Sequence, residues 1–345
     1  MARLLPDRPS SRFRPAGPHL VEDRQTGLIW QQNGSEKPLS RLLASPYLDD
    51  LNRQEFGGRH DWRLPTLGEL SGLLTPEKNP LGLYLDPIFD PRQHFCWSAT
   101  FSPSGGAYGV LFLPGTILAQ KLDIPAYIRG VAGLPREPVP DPVPTPALVQ
   151  KGRELLFSDN LRRVPRRAEM EEFLAAGGFI SDVLLTGRQL YFLATDEWLK
   201  ALIRLFRHLG VTRVMEVGAG DGFVAAALKD RGFPIIATDP AAGDPSPYDV
   251  VVHPLSHLEA VEEFRPELAF WCWPPYRSPA PEDLISHPGL RFYLDIGDGG
   301  IATGAPSLVS QFRGRYLHTL SSLGFTWLDV GPYRHNRNFL FRSGR

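Results

Sequence analysis

The chain has 345 residues, 42% hydrophobic and 22% charged, which suits two domains with proper cores and excludes a disordered chain. Its formal net charge of −1 and pI near 6.8 lack the basic excess of a polyanion-binding protein, so nucleic acid is not an expected partner. Two cysteines, Cys96 and Cys272, build neither a disulfide framework nor a Cys-based metal centre, and no apolar run reaches the length of a membrane span.

The start, MARLLPDRPSSRFRP, is cut by Pro6 and Arg8 and holds no signal-peptide core, so a cytoplasmic location is the default expectation. Aromatic and turn residues then dominate up to about residue 133. Leu39–Leu51 and Leu67–Leu74 read as short helices, and Phe95–Thr100, Tyr108–Leu113 and Ala126–Val131 as short strands between Gly and Pro turns. This predicts a small α+β domain. Trp30, Trp62 and Trp97 are candidates for its core, and Asp61 and Arg63 pair or satisfy turn backbone.

Prolines 135, 138, 140, 142, 144 and 146 then recur at almost every second position, and a stiff polyproline-like linker is expected over 134–147. Residues 148–194 read as a helical cap segment. In it, Arg162-Arg163-Val164-Pro165-Arg166-Arg167 is either a solvated helix entry or a phosphate-touching patch.

From 195 onward helix and strand alternate, which predicts a parallel sheet covered on both faces. Thr195-Asp-Glu-Trp opens a helix with a cap and two acids at its positive end, and Gly210 closes it. Arg213-Val-Met-Glu-Val-Gly-Ala-Gly-Asp-Gly222 is a strand running into a glycine turn, and Phe223–Lys229 is the helix that follows. Glycines 218, 220 and 222 let backbone approach a ligand, although such turns also serve packing alone. Pro234–Asp239 is a second strand, ending in an acid at the offset of a ribose-binding carboxylate; Asp239 also reads as a helix cap. Phe223 stands where a dinucleotide fingerprint wants a small residue, and Glu216 and Asp221 would repel a pyrophosphate. A sulfonium and an α-ammonium group are welcome there, so charge favours S-adenosylmethionine over NAD. Tyr248–His253, Leu268–Trp273 and Arg291–Ile296 are the next strands, with a helix at Ser256–Phe264. A helix at Leu308–Leu323, closed by Gly324, and an antiparallel pair, Phe325–Val330 with Asn338–Arg342, complete the pattern.

Glu216-Val-Gly-Ala-Gly-Asp-Gly222, Thr238-Asp239 and Trp273-Pro-Pro-Tyr276 together resemble class I S-adenosylmethionine-dependent methyltransferases over residues 195–345. The resemblance implies an α/β Rossmann-like domain with a seven-stranded, mostly parallel sheet. It implies that Gly218, Ala219, Gly220 and Gly222 wrap S-adenosylmethionine, that Asp239 holds its ribose, and that Leu255 and Ser256, after Pro254, lie near its adenine. In amine methyltransferases an Asp or Asn precedes the two prolines and accepts hydrogen bonds from the target amine. Trp273 can only donate, which leaves the Pro274 carbonyl as acceptor and Tyr276 as a stacking face, so base methylation does not carry over. A similar strand end, followed by a Gly-acid-Gly segment, occurs in a little-studied set of methyltransferase-like proteins; here that segment is Gly297-Asp298-Gly299. Asp298 is the candidate general base, or a turn-forming Asp before two glycines. His253 and Cys272 are read as structural. In the first part, Gly58-Arg-His-Asp-Trp-Arg-Leu-Pro-Thr66 and Phe95-Cys-Trp-Ser-Ala-Thr100 resemble the collagen-like-protein C-terminal domain family over about residues 20–132, with 20–133 as the domain. That resemblance implies a fold related to C-type lectins and formylglycine-generating enzymes, and a glycan or protein ligand. The expected function is methyl transfer to a small-molecule or protein acceptor. The alternatives are a non-catalytic scaffold with a degenerate methyltransferase-like half and, more remotely, an NAD-dependent oxidoreductase.

Overall fold

Short strands, short helices and tight turns make up the described residues before the proline run. The computed structural model describes residues 12–113, 115–159, 161–185, 193–243, 245–275, 278–297, 308–321 and 337–344. They divide into two units, Met1–Val149 with Gly177–Arg188, and Gln150–Ala176 with Gln189–Arg345. Among the described residues no helix is long and apolar enough to cross a membrane.

The first unit holds β1 (Phe13–Gly17), β2 (Leu20–Asp23), β3 (Ile29–Gln31), α1 (Ala44–Arg53), α2 (Leu67–Ser71), β4 (Phe95–Phe101), β5 (Ala107–Leu111), β6 (Thr116–Gln120) and β7 (Val131–Ala132). Strands β1-β2-β3-β7 form one antiparallel sheet and β4-β5-β6 another. The Thr66 side chain accepts from Glu69 N and the Glu69 carboxylate accepts from Thr66 N, a capping box that starts α2 where Pro65 leaves off. Only Val131 of Ala126–Val131 lies in a strand, β7, so the segment is not the single strand its sequence suggests. Its backbone bonds in turn to Leu39, Phe95 and Arg63, giving isolated bridges instead of one ladder. The three tryptophans are buried but in two clusters, Trp30 with Leu67, Leu70 and Phe89, and Trp62 and Trp97 with Leu48 and Ile128. Asp61 and Arg63 do not pair with each other. Asp61 binds Arg59 at 2.7 Å and accepts from Gly133 N, whereas Arg63 binds Glu69 at 2.7 Å.

The proline run is docked onto this unit. Asp141 accepts from Gly68 N at 2.7 Å and from the Thr100 hydroxyl at 2.6 Å, and Val143 packs on the core. A Cβ at Gly68 would run into the Pro140 carbonyl oxygen. The segment 148–194 is likewise not one cap. α3 (Pro146–Leu156), β8 (Phe157–Ser158), β9 (Leu161–Arg162) and α4 (Arg167–Ala175) precede α5 (Ile180–Leu185), which goes with the first unit. Buried Asp182 on α5 accepts from the Ser102 and Tyr108 hydroxyls, and the Ser181 hydroxyl accepts from Ala119 N. The two hydroxyl bonds satisfy a carboxylate that burial would otherwise penalise heavily.

In the second unit, α6 (Asp196–His208) buries Trp198, Leu199, Leu202, Ile203 and Phe206, a stripe at helical spacing, and the Thr195 side chain accepts from Trp198 N. The chain then forms β10 (Val214–Val217), α7 (Phe223–Lys229), β11 (Ile236–Thr238), β12 (Val252–His253), α8 (His257–Phe264), β13 (Leu268–Cys272), α9 (Ala280–Ser286), β14 (Phe292–Gly297), α10 (Leu308–Gln311), β15 (Tyr316–Ser321) and β16 (Arg337–Arg342). The sheet order is β12-β11-β10-β13-β14-β16-β15. The first five strands are parallel, and β16 runs antiparallel between β14 and β15. Alternate residues of the same strands feed opposite faces. Leu268, Phe270, Leu294 and Ile296 join α6 and α7 on one side, and Ala269, Tyr293 and Phe341 join α8 and α9 on the other.

The long helix expected over Leu308–Leu323 stops at Gln311. Tyr316–Ser321 is instead the strand that pairs with β16, its Tyr316 ring lying 5.8 Å from Phe341 and 6.4 Å from Phe339. Gly314 interrupts the helical pattern, and the aromatic contacts across the ladder override what propensity remains. Phe325–Val330, expected as the partner of β16, lies outside the described residues.

Candidate functional site

The strand order reverses between β10 and β13, so their carboxyl ends open the crevice where doubly wound sheets take ligands. The turn after β10 fills that edge. Gly218, Gly220 and Gly222 have φ of 63°, 57° and 85°, a region that side chains other than glycine's seldom adopt. They do two different jobs. A Cβ at Gly218 would run into the indole nitrogen of Trp271, and one at Gly222 would lie 2.8 Å from Val250, so these two glycines serve packing. Gly220 faces nothing within 4 Å, and its backbone is open to a ligand.

Gly218→Ala is therefore expected to destabilise the unit by 2 kcal/mol or more, whereas Gly220→Ala costs about 1 kcal/mol through backbone strain alone. Comparison of the two melting temperatures checks this.

Asp239 closes the turn from the end of β11. Its carboxylate accepts from Gly220 N at 2.9 Å and from Ala241 N at 2.8 Å, and Ala219 N donates to Thr238 O at 3.0 Å. Asp239 N in turn donates to His253 O at 3.0 Å, which sets the start of the segment Pro254–Ser256 beside it. Leu255 packs against the inner cluster. The Ser256 hydroxyl is engaged with Glu259 in the capping box of α8, leaving its exposed edge rather than a free hydroxyl to meet a ligand.

Beneath the turn lies Glu216, 2% exposed, with Oε2 lacking any hydrogen-bond partner. Burial, and then the carboxylate of Asp221, push its pKa up to about 8; Ala225 N and Arg162 pull the other way. A buried carboxyl with an orphaned oxygen is costly to leave unmatched, and a cation brought to it would repay that cost.

Arg162 is the residue that sequence reading missed. It is not part of a solvated helix entry, because α4 begins only at Arg167 and Arg162 sits in the β8–β9 hairpin. Its Nη2 lies 3.3 Å from Asp221 Oδ2, and its guanidinium is 5.5 Å from the Phe223 ring centre. Nothing local in an Arg-Arg-Val-Pro stretch signals this contact, since its partners lie about sixty residues along the chain.

Trp273 stands one residue past β13, at the same edge, with φ 65° and its N–H donating to Ile296 O at 2.6 Å. A left-handed backbone at a bulky residue is strained, and strain of this kind gathers at functional sites. Pro274 is buried next to it. Tyr276 and Asp298, the other two candidates for catalysis, lie outside the described residues. Below this edge, the Tyr293 hydroxyl donates to buried Asp295 at 3.0 Å. Cys272 is a poor nucleophile: burial, then Glu216 and Asp295, hold its thiol well above the ordinary range. The His253 ring packs tilted against Phe264, centroids 4.7 Å apart.

Residues 19–132 match the family model described as the Lcl C-terminal domain. No curated protein matches the chain. Among solved structures, M. capricolum TrmK, in complex with the natural cofactor product S-adenosylhomocysteine, is similar at 10% identity and a TM-score of 0.28, over 39% of this chain and 63% of that one. Streptococcus pneumoniae Sp1610, a candidate tRNA (m1A22) methyltransferase, is similar at 11% identity and a TM-score of 0.29, over 42% of this chain and 70% of that one. This chain thus spans under two thirds of the length of the first of these proteins. At such scores the reading of the site rests on its own residues.

Proposed function

We propose that the second unit binds S-adenosylmethionine and transfers its methyl group to a small-molecule or protein acceptor, with the first unit recognising a glycan or a protein surface. The observation that carries this reading is buried Glu216, its Oε2 without a partner, beneath a glycine turn whose Gly220 is open. A cationic ligand satisfies that oxygen; the pyrophosphate of a dinucleotide does not. The five parallel strands and final antiparallel pair agree with the resemblance to class I methyltransferases, and so does Asp239 at the end of the second strand.

When bound, S-adenosylmethionine supplies an electrophilic methyl group on a sulfonium. The backbone at Ala219 and Gly220 would hold the ligand, Asp239 would offer its remaining lone pairs to ribose hydroxyls beyond its two backbone bonds, and Leu255 and Ser256 would take the adenine. Trp273 and the Pro274 carbonyl border the crevice edge on the acceptor side, and Tyr276 and Asp298 keep the roles of stacking face and general base given them by the sequence. Holding a good nucleophile in line supplies much of the rate without strong acid–base help.

A second reading, a cofactor-binding protein without turnover, draws on Trp273 itself, a hydrogen-bond donor where amine methyltransferases place an acceptor. Methyl release from labelled S-adenosylmethionine in the presence of an acceptor separates the two.

The cofactor is tested by thermal shift. S-adenosylhomocysteine at a hundred times its Kd adds about 2.7 kcal/mol to the stability of the unit that binds it. A rise of several degrees with S-adenosylhomocysteine and none with NADH is expected; the reverse pattern contradicts the reading.

A further inference from the structure

One side chain fixes the middle of the proline run. No helix or strand forms between Gly133 and Thr145. Pro138, Pro140 and Pro142 have no N–H to offer, and among the described residues the N–H groups of Glu137, Val139 and Asp141 meet no acceptor. Asp141 is exposed, yet its carboxylate meets two donors on different elements, Gly68 N at 2.7 Å and the Thr100 hydroxyl at 2.6 Å. That hydroxyl accepts from Leu67 N at 2.9 Å, which leaves its own hydrogen for the carboxylate. Gly68 has no left-handed backbone that would call for glycine. Close approach calls for it instead, since a Cβ there would strike the Pro140 carbonyl and lie 3.0 Å from Val139 Cγ1. On either side the run is tied down separately, by Arg136 N donating to Thr26 O at 2.8 Å and by buried Pro144.

We propose that Gly68, Thr100 and the surface between them form a recognition groove for an extended, proline-rich peptide carrying an acid, and that residues 139–143 fill it as a removable strap. The partner that fits is a protein with an exposed apolar-Pro-acid-Pro-apolar segment. Such a segment is stiff before it binds, so docking costs little further chain entropy. The acid supplies the selectivity, because a neutral residue in its place leaves the Gly68 N–H and the Thr100 hydroxyl without their acceptor. Bareness at Gly68 supplies the fit, by letting a peptide carbonyl lie against α2. The strap is removable because its middle rests on exposed hydrogen bonds to one carboxylate, the kind of contact that opens first in a folded chain. Being tethered, it competes with a partner at an effective concentration of about a millimolar, so the groove is self-occupied until a partner segment is locally abundant.

This inference rests on the reading of the first unit as a recognition unit and is independent of the cofactor. A fluorescein-labelled peptide Glu-Pro-Val-Pro-Asp-Pro-Val-Pro, the sequence of residues 137–144, is titrated into the full-length chain and followed by anisotropy. Asp141→Ala, which frees the groove, should bind it about tenfold or more tighter than the native chain. Gly68→Ala, which blocks the groove while also freeing the strap, should not bind it. A peptide with Ala in place of its Asp should lose about tenfold or more. Trypsin should cut after Arg136 faster in both variants than in the native chain, and a millimolar excess of the acidic peptide should speed the same cut in the native chain. No binding to Asp141→Ala at a retained melting temperature, or equal binding to all three chains, overturns the groove and leaves the first unit a ligand elsewhere on its surface. If Asp141→Ala does not fold, the native chain decides, and a trypsin rate unmoved by the peptide overturns the strap. A dimer of Asp141→Ala in light scattering, dispersed by the peptide, overturns the partner protein and makes the occupant a second copy's proline run.

Discussion

Asp239→Ala is expected to weaken S-adenosylhomocysteine binding about a hundredfold, the largest loss from any single side chain in the turn. Its carboxylate does two things. It accepts from Gly220 N and Ala241 N, fixing the open glycine where a ligand passes, and in the proposed complex it also accepts from ribose hydroxyls. Hydrogen bonds to a charged group contribute roughly 1.5–3 kcal/mol each, so one lost ribose bond with partial slackening of the turn already reaches about 3 kcal/mol. That corresponds to a factor of about a hundred in Kd. The fold should tolerate the change, because Asp239 is half-buried and both freed N–H groups can reach water. Calorimetric titration of the variant, with its melting temperature as control, decides the point. An unchanged Kd would mean that Asp239 caps the turn and does nothing more.

The second large effect is on pH dependence and centres on Glu216. Its folded pKa near 8 stands above the usual carboxylate value, chiefly through burial and then through Asp221. The folded chain therefore keeps a proton that the unfolded chain has given up. Stability is fully present below the unfolded pKa of about 4.3, falls as pH rises, and levels off once the folded pKa is passed. The loss over that window amounts to at most roughly 5 kcal/mol. Glu216→Gln removes the titration, so the variant should be the more stable protein at pH 8.5 and differ little at pH 5. Denaturant unfolding at the two pH values reads this directly.

The same substitution should damage binding. Between pH 6 and 8 the native chain must release the Glu216 proton to meet an ammonium group, so its Kd for S-adenosylhomocysteine tightens by up to about tenfold per pH unit. Glu216→Gln should bind weakly with no such slope. Parallel pH profiles for the two proteins would show that the buried carboxyl does not face the ligand.

How much of this was legible in the sequence follows the range of each interaction. The glycine turn, Thr195 as a cap, the helix after Ser256 and the apolar strands on either side of them are local patterns, and each appears near where its residues suggest. The place of Asp239 at the end of the second strand was legible for the same reason. Contacts distant in sequence were not. Arg162 looked like surface charge because Asp221 and Tyr248 come beside it only through folding. The proline run read as a free spacer, since nothing in its composition reveals that Asp141 is held by Gly68 and Thr100. α5 read as part of a cap on the second unit, whereas the buried Asp182 bonds assign it to the first. Tyr316–Ser321 looked helical until its pairing with β16 is seen. Trp273 was marked by its chemistry, but its left-handed backbone has no signature in the sequence.

The most direct test of the cofactor claim is a crystal structure of the full-length chain grown with S-adenosylhomocysteine. The account predicts density over Gly220, with the ribose hydroxyls on Asp239 and the ammonium group toward Glu216. A turn left empty at saturating ligand, or a ligand bound away from β10 and β11, would contradict it.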